Sequence, residues 1–282
     1  MTVVIYKRSN NWASTIQDII ENTEINAFKS ISLGRAAIAQ AITNGFLADN
    51  VVASTYALEL FRSDLPSELP LNYTKPYESY FTTEIDTPLV DPPRPPGNQE
   101  KLYSGYFSVN ITTIAQLNAS TENMSRSTIL DNVMRALAIG KPSIQAIYAG
   151  FTDFGFRRYP YVFDDSRRTG TFCNVSFAPA ELQQKVGFIP ACRAWYQKAL
   201  TSASAAGVVD VLGPAQFSPP FISAITKRVA TTTSQALFTQ AGLKGVIAIE
   251  LEMDSLNSAL TQTSVLRNGY MFMVDLNGTL IV

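Results

Sequence analysis

A stripe of mostly apolar residues with helical spacing constrains the fold of this 282-residue chain more than any other feature. Its members recur every three or four residues: Ile16, Ile20, Thr23, Ala27, Ile31, Gly34, Ile38 and Ile42. Such spacing places them on one face of an α-helix. We therefore expect a long amphipathic helix from Asn11 to Phe61, which Asn44-Gly45 ends or kinks. The stripe is interpreted as core packing or, alternatively, as the coiled-coil seam of a homodimer.

The composition excludes several classes of function. The chain is 46% hydrophobic and only 16% charged, which predicts a folded chain and not a disordered one. Its net charge of −1 disfavours nucleic-acid binding. Histidine is absent, so there is no Ser-His-Asp or Cys-His triad and no His-ligated metal. No apolar run is long enough to span a membrane. We expect a binding or sensing domain that is not an enzyme and needs no cofactor.

Residues 63–142 are predicted to be an irregular insertion that ends in a helix. The proline-rich stretch Asp91–Gly97 indicates polyproline or turn structure. Alternation over Leu102–Ile111 predicts a strand, and Thr121–Ile139 predicts a helix. Ser127 or Thr128 is available as its N-cap, and we expect it to stop at the Gly140-Lys-Pro motif.

Residues 143–282 alternate strand patterns with short helices. Strands are predicted at Ile144–Phe151, Gly207–Leu212, Pro220–Thr233 and Gly242–Leu251, and helices at Ala178–Val186, Trp195–Ser202 and Met253–Thr263. Arg157–Gly170 is interpreted as turn-rich, and Tyr270–Val282 as a hairpin around Asn277-Gly278. A long N-terminal helix (1–62), the insertion (63–142) and a mostly antiparallel sheet (143–282) predict one composite α+β domain.

Cysteine and asparagine patterns favour an extracellular location. Cys173 and Cys192 form one disulfide or, alternatively, remain two buried thiols. Asn-x-Ser/Thr triplets, about twice as many as chance predicts, are candidate glycosylation sites: Asn72, Asn110, Asn118, Asn123, Asn174 and Asn277. No signal peptide is recognised, so we expect a fragment of a longer secreted or membrane-anchored eukaryotic protein.

The candidate site combines a block of residues around Arg193 with a glutamate in a later strand. Arg193 supplies a fork of donors suited to a carboxylate, and Trp195 and Tyr196 supply aromatic walls. Glu250 falls in an apolar strand, where a carboxylate must reach water, pair with a cation or take up a proton. If Arg193 and Glu250 line one pocket, the pocket suits a zwitterion such as an amino acid. The alternative is an internal Arg193–Glu250 ion pair with Trp195 in the core.

These residues resemble the double Cache sensor domain. The resemblance is carried by the motif Pro190-x-x-Arg-x-Trp-Tyr196, the apolar strand ending in Glu250, the helix predicted from Met253, and Gly269–Gly278. It covers residues 143–282 and, in topology, the long helix. The layout is also similar to the Cache region of calcium-channel alpha-2-delta subunits. The resemblance implies a PAS-like sheet that binds small ligands outside the cell.

The resemblance also implies a role for each residue of the candidate site. Arg193, Trp195 and Tyr196 match the residues that hold a ligand carboxylate in the amino-acid-binding members. Glu250 stands where an aspartate holds the amine, and Phe188 stands where a tyrosine is expected. Ala215 replaces a further pocket tyrosine. We expect a more apolar or wider pocket.

The resulting expectation is an extracellular Cache-type sensor that binds an amino-acid-like ligand. The alternative is a Cache module without a working pocket, which serves as a structural or interaction domain of a cell-surface assembly or a channel auxiliary subunit. In that case the partner is a protein at the cell surface.

Overall fold

The computed structural model describes residues 2–62, 105–108, 126–127, 129–153, 155–160, 189–206, 211–223, 226–254 and 258. Side chains are described from residue 14 onward, except in 105–108 and 205–206. Two compact units divide the chain: Met1–Asn44 with Asp254–Val282, and Gly45–Met253. The sequence-based division at residues 62 and 142 stays a prediction.

The long N-terminal helix is present as α1, Thr2–Phe61. The prediction that the helix ends at Asn44-Gly45 is wrong, because the helix continues through both residues. One helical glycine costs about 1 kcal/mol, too little to end a helix of 60 residues. The following residues bury one face with helical spacing: Phe46, Asn50, Ala53, Ser54, Ala57, Leu58, Leu60 and Phe61.

In the N-terminal part of α1, residues of the predicted apolar stripe are exposed. Ile16, Ile20 and Ile38 each leave 43 to 51% of their surface exposed. Core packing within the chain is therefore wrong for these three residues. The dimer seam stays a prediction.

The described part of the chain contains one antiparallel sheet of seven strands, which confirms the α+β class. The strands are β1 (Gly105–Ser108), β2 (Ile144–Phe151), β3 (Gly155–Tyr159), β4 (Gln216–Phe217), β5 (Phe221–Ile222), β6 (Val229–Thr239) and β7 (Gly242–Glu252). Their order is β1-β3-β2-β7-β6-β4, and β5 also pairs with β6. The long central strands are rich in β-branched and aliphatic residues, as fully buried strands require.

Two further helices cover the two faces of the sheet. Helix α2 (Leu130–Gly140) ends at Gly140 as predicted. Its predicted cap by Ser127 is wrong: Ile129 precedes the helix without a side-chain cap, and the Ser127 hydroxyl accepts a hydrogen bond from Arg157 Nε instead, at 2.9 Å. Helix α3 (Ala194–Ala206) confirms the helix predicted from Trp195, and it follows a 3-10 turn, Pro190–Cys192.

Other predictions were wrong in detail. The stretch expected to be turn-rich from Arg157 begins inside β3. The strand predicted over Pro220–Thr233 is split into β5 and β6. Of the strand predicted over Gly207–Leu212, the described part is a bend and a single bridge from Leu212 to Leu237.

Several predicted features lie outside the described residues. These are the Asp91–Gly97 stretch, the helix Ala178–Val186 and the hairpin Tyr270–Val282. No helix in the described part of the chain combines the length and apolar character needed to cross a bilayer.

Side-chain alternation assigns each helix to a face of the sheet. On one face, α1 places Asn50 against the central strands, and its Nδ2 donates to the carbonyl oxygens of Thr233 (3.1 Å) and Ile247 (3.4 Å). On the other face, Ala199 and Ala203 of α3 pack in a cluster with Val246, Ala248 and Ala236. The candidate site lies on this second face, which we call the α3 face.

Candidate functional site

The motif around Arg193 lies where the 3-10 turn joins α3. Pro190 occupies the first position of the turn, where its missing N–H costs nothing. Arg193 is extended, and its N–H donates to the Pro190 carbonyl at 2.9 Å. Its own carbonyl accepts from the N–H groups of Tyr196 and Gln197, each at 3.0 Å. These bonds fix the backbone of Arg193 at the start of the helix.

Trp195 and Tyr196 are both buried on the α3 face. The Trp195 ring centroid lies 5.8 Å from that of Tyr148 and 5.6 Å from that of Tyr196. The close packing depends on Gly150: a Cβ there would lie 2.6 Å from Pro190 Cβ and 2.9 Å from Trp195 Cη2. Burial raises the pKa of Tyr196, with a smaller contribution from Asp153, so its hydroxyl stays protonated. Trp195 and Tyr196 therefore lie in the core on the α3 face, and their role as walls of a ligand pocket stays a prediction.

Glu250 lies in β7 between Ala146 of β2 and Thr232 of β6. It has the same alternation as Val246 and Ala248, so it belongs to the α3 face. Only 3% of its surface is exposed. Burial, and secondly the charge of Glu252, raise its pKa to about 7. Near neutral pH this carboxyl is therefore close to half ionised.

Within the described residues, none of the hydrogen bonds or ion pairs involves the Glu250 carboxylate, and no ion pair joins it to Arg193. A buried carboxylate without a cation is expensive, which agrees with the raised pKa. Its neighbours on the α3 face include Ala146 and Ala248, both fully buried and small.

A buried arginine of β3 lies on the α3 face. Arg158 pairs in register with Tyr148 and is 3% exposed, and its guanidinium lies 5.8 Å from the Tyr148 ring centroid. Its Nη1 donates to the carbonyl of Pro160. Because β3 side chains alternate, Arg157 points to the opposite face and pairs with Asp131 at 3.0 Å. The split between the two arginines was not predictable from the local sequence, because it depends on the strand register.

Hydroxyl groups of β6 complete the α3 face beside Glu250. Thr232, directly opposite Glu250, shares a hydrogen bond of 2.9 Å with the Ser218 hydroxyl. Ser234, two residues further, is fully buried and pairs in register with Ala248. Sequence reasoning missed these hydroxyls. The signal was available in the run Thr231-Thr-Thr-Ser234, where alternate residues share a face.

The remaining candidates stay predictions. Phe188, Cys173 and the six asparagines of the Asn-x-Ser/Thr triplets lie outside the described residues. Cys192 is buried in the 3-10 turn and takes part in a disulfide bond, and the assignment of Cys173 as its partner stays a prediction. Ala215, at the position of the expected tyrosine, is half-buried just before β4.

No family model matches the chain, and no curated protein matches it. Solved structures do. The ligand-binding domain of the Pseudomonas aeruginosa amino acid chemoreceptor PctC in complex with GABA is 24% identical, with a TM-score of 0.36; the match covers 54% of this chain and 55% of that one. The PctB domain of the same organism in complex with L-Gln is 18% identical, with a TM-score of 0.37, and the match covers 54% and 50%.

The sensory domain of the Campylobacter jejuni chemoreceptor Tlp3 with isoleucine bound is 11% identical, with a TM-score of 0.47; the match covers 94% of this chain and 72% of that one. The chain thus spans about half the length of the two Pseudomonas domains. All three are sensory or ligand-binding domains of chemoreceptors.

Proposed function

We propose that this chain is an extracellular Cache-type sensor domain of a eukaryotic membrane protein. It binds a small zwitterionic or carboxylate ligand, such as an amino acid, on the α3 face. Arg193 holds the carboxylate end, Trp195 and Tyr196 form the wall, and Glu250 holds the amine end. Phe188 contributes a further apolar surface.

The observation that carries this proposal is the buried Glu250 carboxylate, for which the described residues provide no cation. A ligand ammonium at this position supplies the missing charge. Its attraction for the carboxylate is strong because the site is shielded from water. A carboxylic acid without an amine lacks this interaction, so we expect amino acids to bind more tightly than their deaminated analogues.

A sensor must also transmit occupancy. Glu250 lies on β7 opposite Thr232 of β6, and the same two strands receive the Asn50 hydrogen bonds on their other face. A ligand that prefers one spacing of these strands therefore favours one position of α1.

The extracellular location is supported by the Asn-x-Ser/Thr triplets and the cysteine pair.

A thermal-shift screen tests the function directly. The 282-residue chain is titrated with L-alanine, L-isoleucine, L-glutamine and GABA, and with propionate as the deaminated control. A ligand at 100 times its Kd stabilises the folded state by about 2.7 kcal/mol, which raises Tm by a few degrees. Arg193→Ala and Glu250→Gln should each lose the shift. Arg62→Ala, on an exposed ion pair with Glu59, is the matched control and should retain it.

The second candidate is an interaction module without a small-molecule ligand. The exposed isoleucines of α1 favour it, since contiguous exposed apolar surface marks protein contacts. Light scattering distinguishes the two candidates: a dimer that Ile20→Glu dissociates, together with no response in the ligand screen, would support the interaction module. A ligand response that Arg193→Ala abolishes would contradict it.

A further inference from the structure

Two neighbouring hydroxyl groups in β6 are buried and have no hydrogen-bond partner in the described part of the chain. They belong to Thr233 and Ser234, and both residues are fully buried. An unsatisfied buried polar group is destabilising, and such groups are rare in folded proteins. Each one therefore requires a physical reason.

The two hydroxyls face opposite sides of the sheet. Ser234 pairs in register with Ala248, which packs in the α3-face cluster with Trp195. Thr233 pairs in register with Ile249, and its own carbonyl accepts from Asn50 of α1. Ser234 thus lies on the α3 face, where the ligand is proposed to bind, and Thr233 lies on the opposite face, which α1 covers.

On the ligand side, Ser234 lies diagonally across from Glu250. Thr232 is directly opposite Glu250, and Ser234 is the next β6 residue on that face. Diagonal residues of an antiparallel pair have Cα atoms roughly 7 to 8 Å apart, so one ammonium group between the side chains can reach both. The Thr232 hydroxyl is already bonded to Ser218, which leaves the Ser234 hydroxyl for a ligand.

We propose that Ser234 is a ligand-binding residue that accepts a hydrogen bond from the ligand ammonium bound at Glu250. This inference depends on the function proposed above and extends it to specificity. A primary ammonium has N–H groups for both the carboxylate and the hydroxyl. A quaternary ammonium has none, so the site prefers glycine over its trimethylated form, glycine betaine.

Calorimetric titration of the full chain tests the role of Ser234. The probes are glycine, L-alanine and glycine betaine, measured on wild type, Ser234→Ala and Thr233→Val. A hydrogen bond to a charged group is worth enough to change Kd by about tenfold or more. We expect Ser234→Ala to weaken glycine and L-alanine by about that factor. Thr233→Val removes an equally buried hydroxyl from the other face and should bind like wild type.

A second variant and the stability of the unliganded chain complete the test. Ser234→Cys keeps the size but weakens the acceptor, so it should lose affinity as Ser234→Ala does. Neither Ser234→Ala nor Thr233→Val should lower the urea midpoint of the unliganded chain, because both remove an unsatisfied group. If Ser234→Ala binds glycine and L-alanine as wild type does, the role of Ser234 is refuted while the sensor function stands. If wild type binds none of the three probes, the Ser234 proposal fails, whereas the sensor function fails only if the thermal-shift screen shows no ligand either.

Discussion

Replacing Glu250 by glutamine changes how the stability of the chain depends on pH. The folded pKa is about 7, against an ordinary value of 4.5, first because burial removes the carboxylate from water and second because Glu252 carries a like charge. Between these values the folded chain keeps a proton that the unfolded chain releases. The contribution of Glu250 is therefore most favourable below pH 4.5 and becomes less favourable as the pH rises, until the loss is complete above pH 7.

The size of the effect follows from the two pKa values. The interval from 4.5 to about 7 corresponds to about 3 kcal/mol of unfolding free energy. Most of this loss, about 2 to 3 kcal/mol, falls between pH 5 and pH 8. Glutamine is neutral at both values, so Glu250→Gln should gain that amount relative to wild type as the pH rises.

Urea denaturation at pH 5, 6, 7 and 8 measures the effect as the difference between variant and wild type. The difference cancels the other titrating groups that the two proteins share. Glu59→Gln replaces an exposed glutamate and should track wild type within about 0.5 kcal/mol at every pH. A variant-minus-wild-type difference that stays constant from pH 5 to pH 8 would refute the reasoning, because the carboxylate would then be as well solvated in the folded chain as in the unfolded one.

Four further substitutions test the packing. Gly150→Ala places a Cβ 2.6 Å from a proline carbon of the 3-10 turn and should lower the unfolding free energy, measured by urea denaturation, by about 1 to 3 kcal/mol. Gly34→Ala in α1 is the matched control: its Cβ meets nothing within 4 Å, so the unfolding free energy should rise by about 0.5 to 1 kcal/mol. Asn50→Ala removes two hydrogen bonds to the central strands and should cost about 1 to 3 kcal/mol. Asp131→Asn leaves the buried Arg157 guanidinium without its carboxylate and should lower the unfolding free energy by about 3 kcal/mol or more.

Local signals predicted the central elements of the fold well. The strand expected at Ile144–Phe151 has those bounds, and the strand expected at Gly242–Leu251 is one residue longer. Dense β-branched residues bounded by glycine or proline define such strands without tertiary information. The end of α2 was predictable for the same reason, since Gly140-Lys-Pro stops a helix by its own chemistry.

Elements that depend on distant partners were not predictable from the sequence. Two adjacent arginines argue against a buried strand, yet Arg157 and Arg158 lie buried in β3. Arg157 is accommodated because Asp131 and Ser127, 26 and 30 residues away, meet its guanidinium. No local pattern reveals that pairing.

The candidate site also contains one residue that the sequence identified and one that it did not. Residue chemistry identified Glu250, because a charged residue in an apolar strand needs an explanation wherever the strand lies. It did not identify Ser234, because serine is common and its importance comes from the absence of a partner among the described atoms. The lack of a partner for the Ser234 hydroxyl can be recognised only from the structure, which gives the strand register and shows that Ser218 bonds to Thr232.

Any signal from the candidate site to α1 must pass through the β6–β7 strand pair, because the site and α1 lie on its two opposite faces. Asn50 donates to one carbonyl on each strand, Thr233 on β6 and Ile247 on β7. Its amide position is fixed further by the Ser54 hydroxyl, which donates to Asn50 Oδ1 at 3.2 Å. The proposed ligand between Glu250 of β7 and Ser234 of β6 would bridge the same two strands from the opposite side. Shear between the strands would lengthen at least one Asn50 bond unless α1 moved with them. Because such bonds weaken steeply with distance and angle, strand spacing and helix position are energetically coupled at this residue.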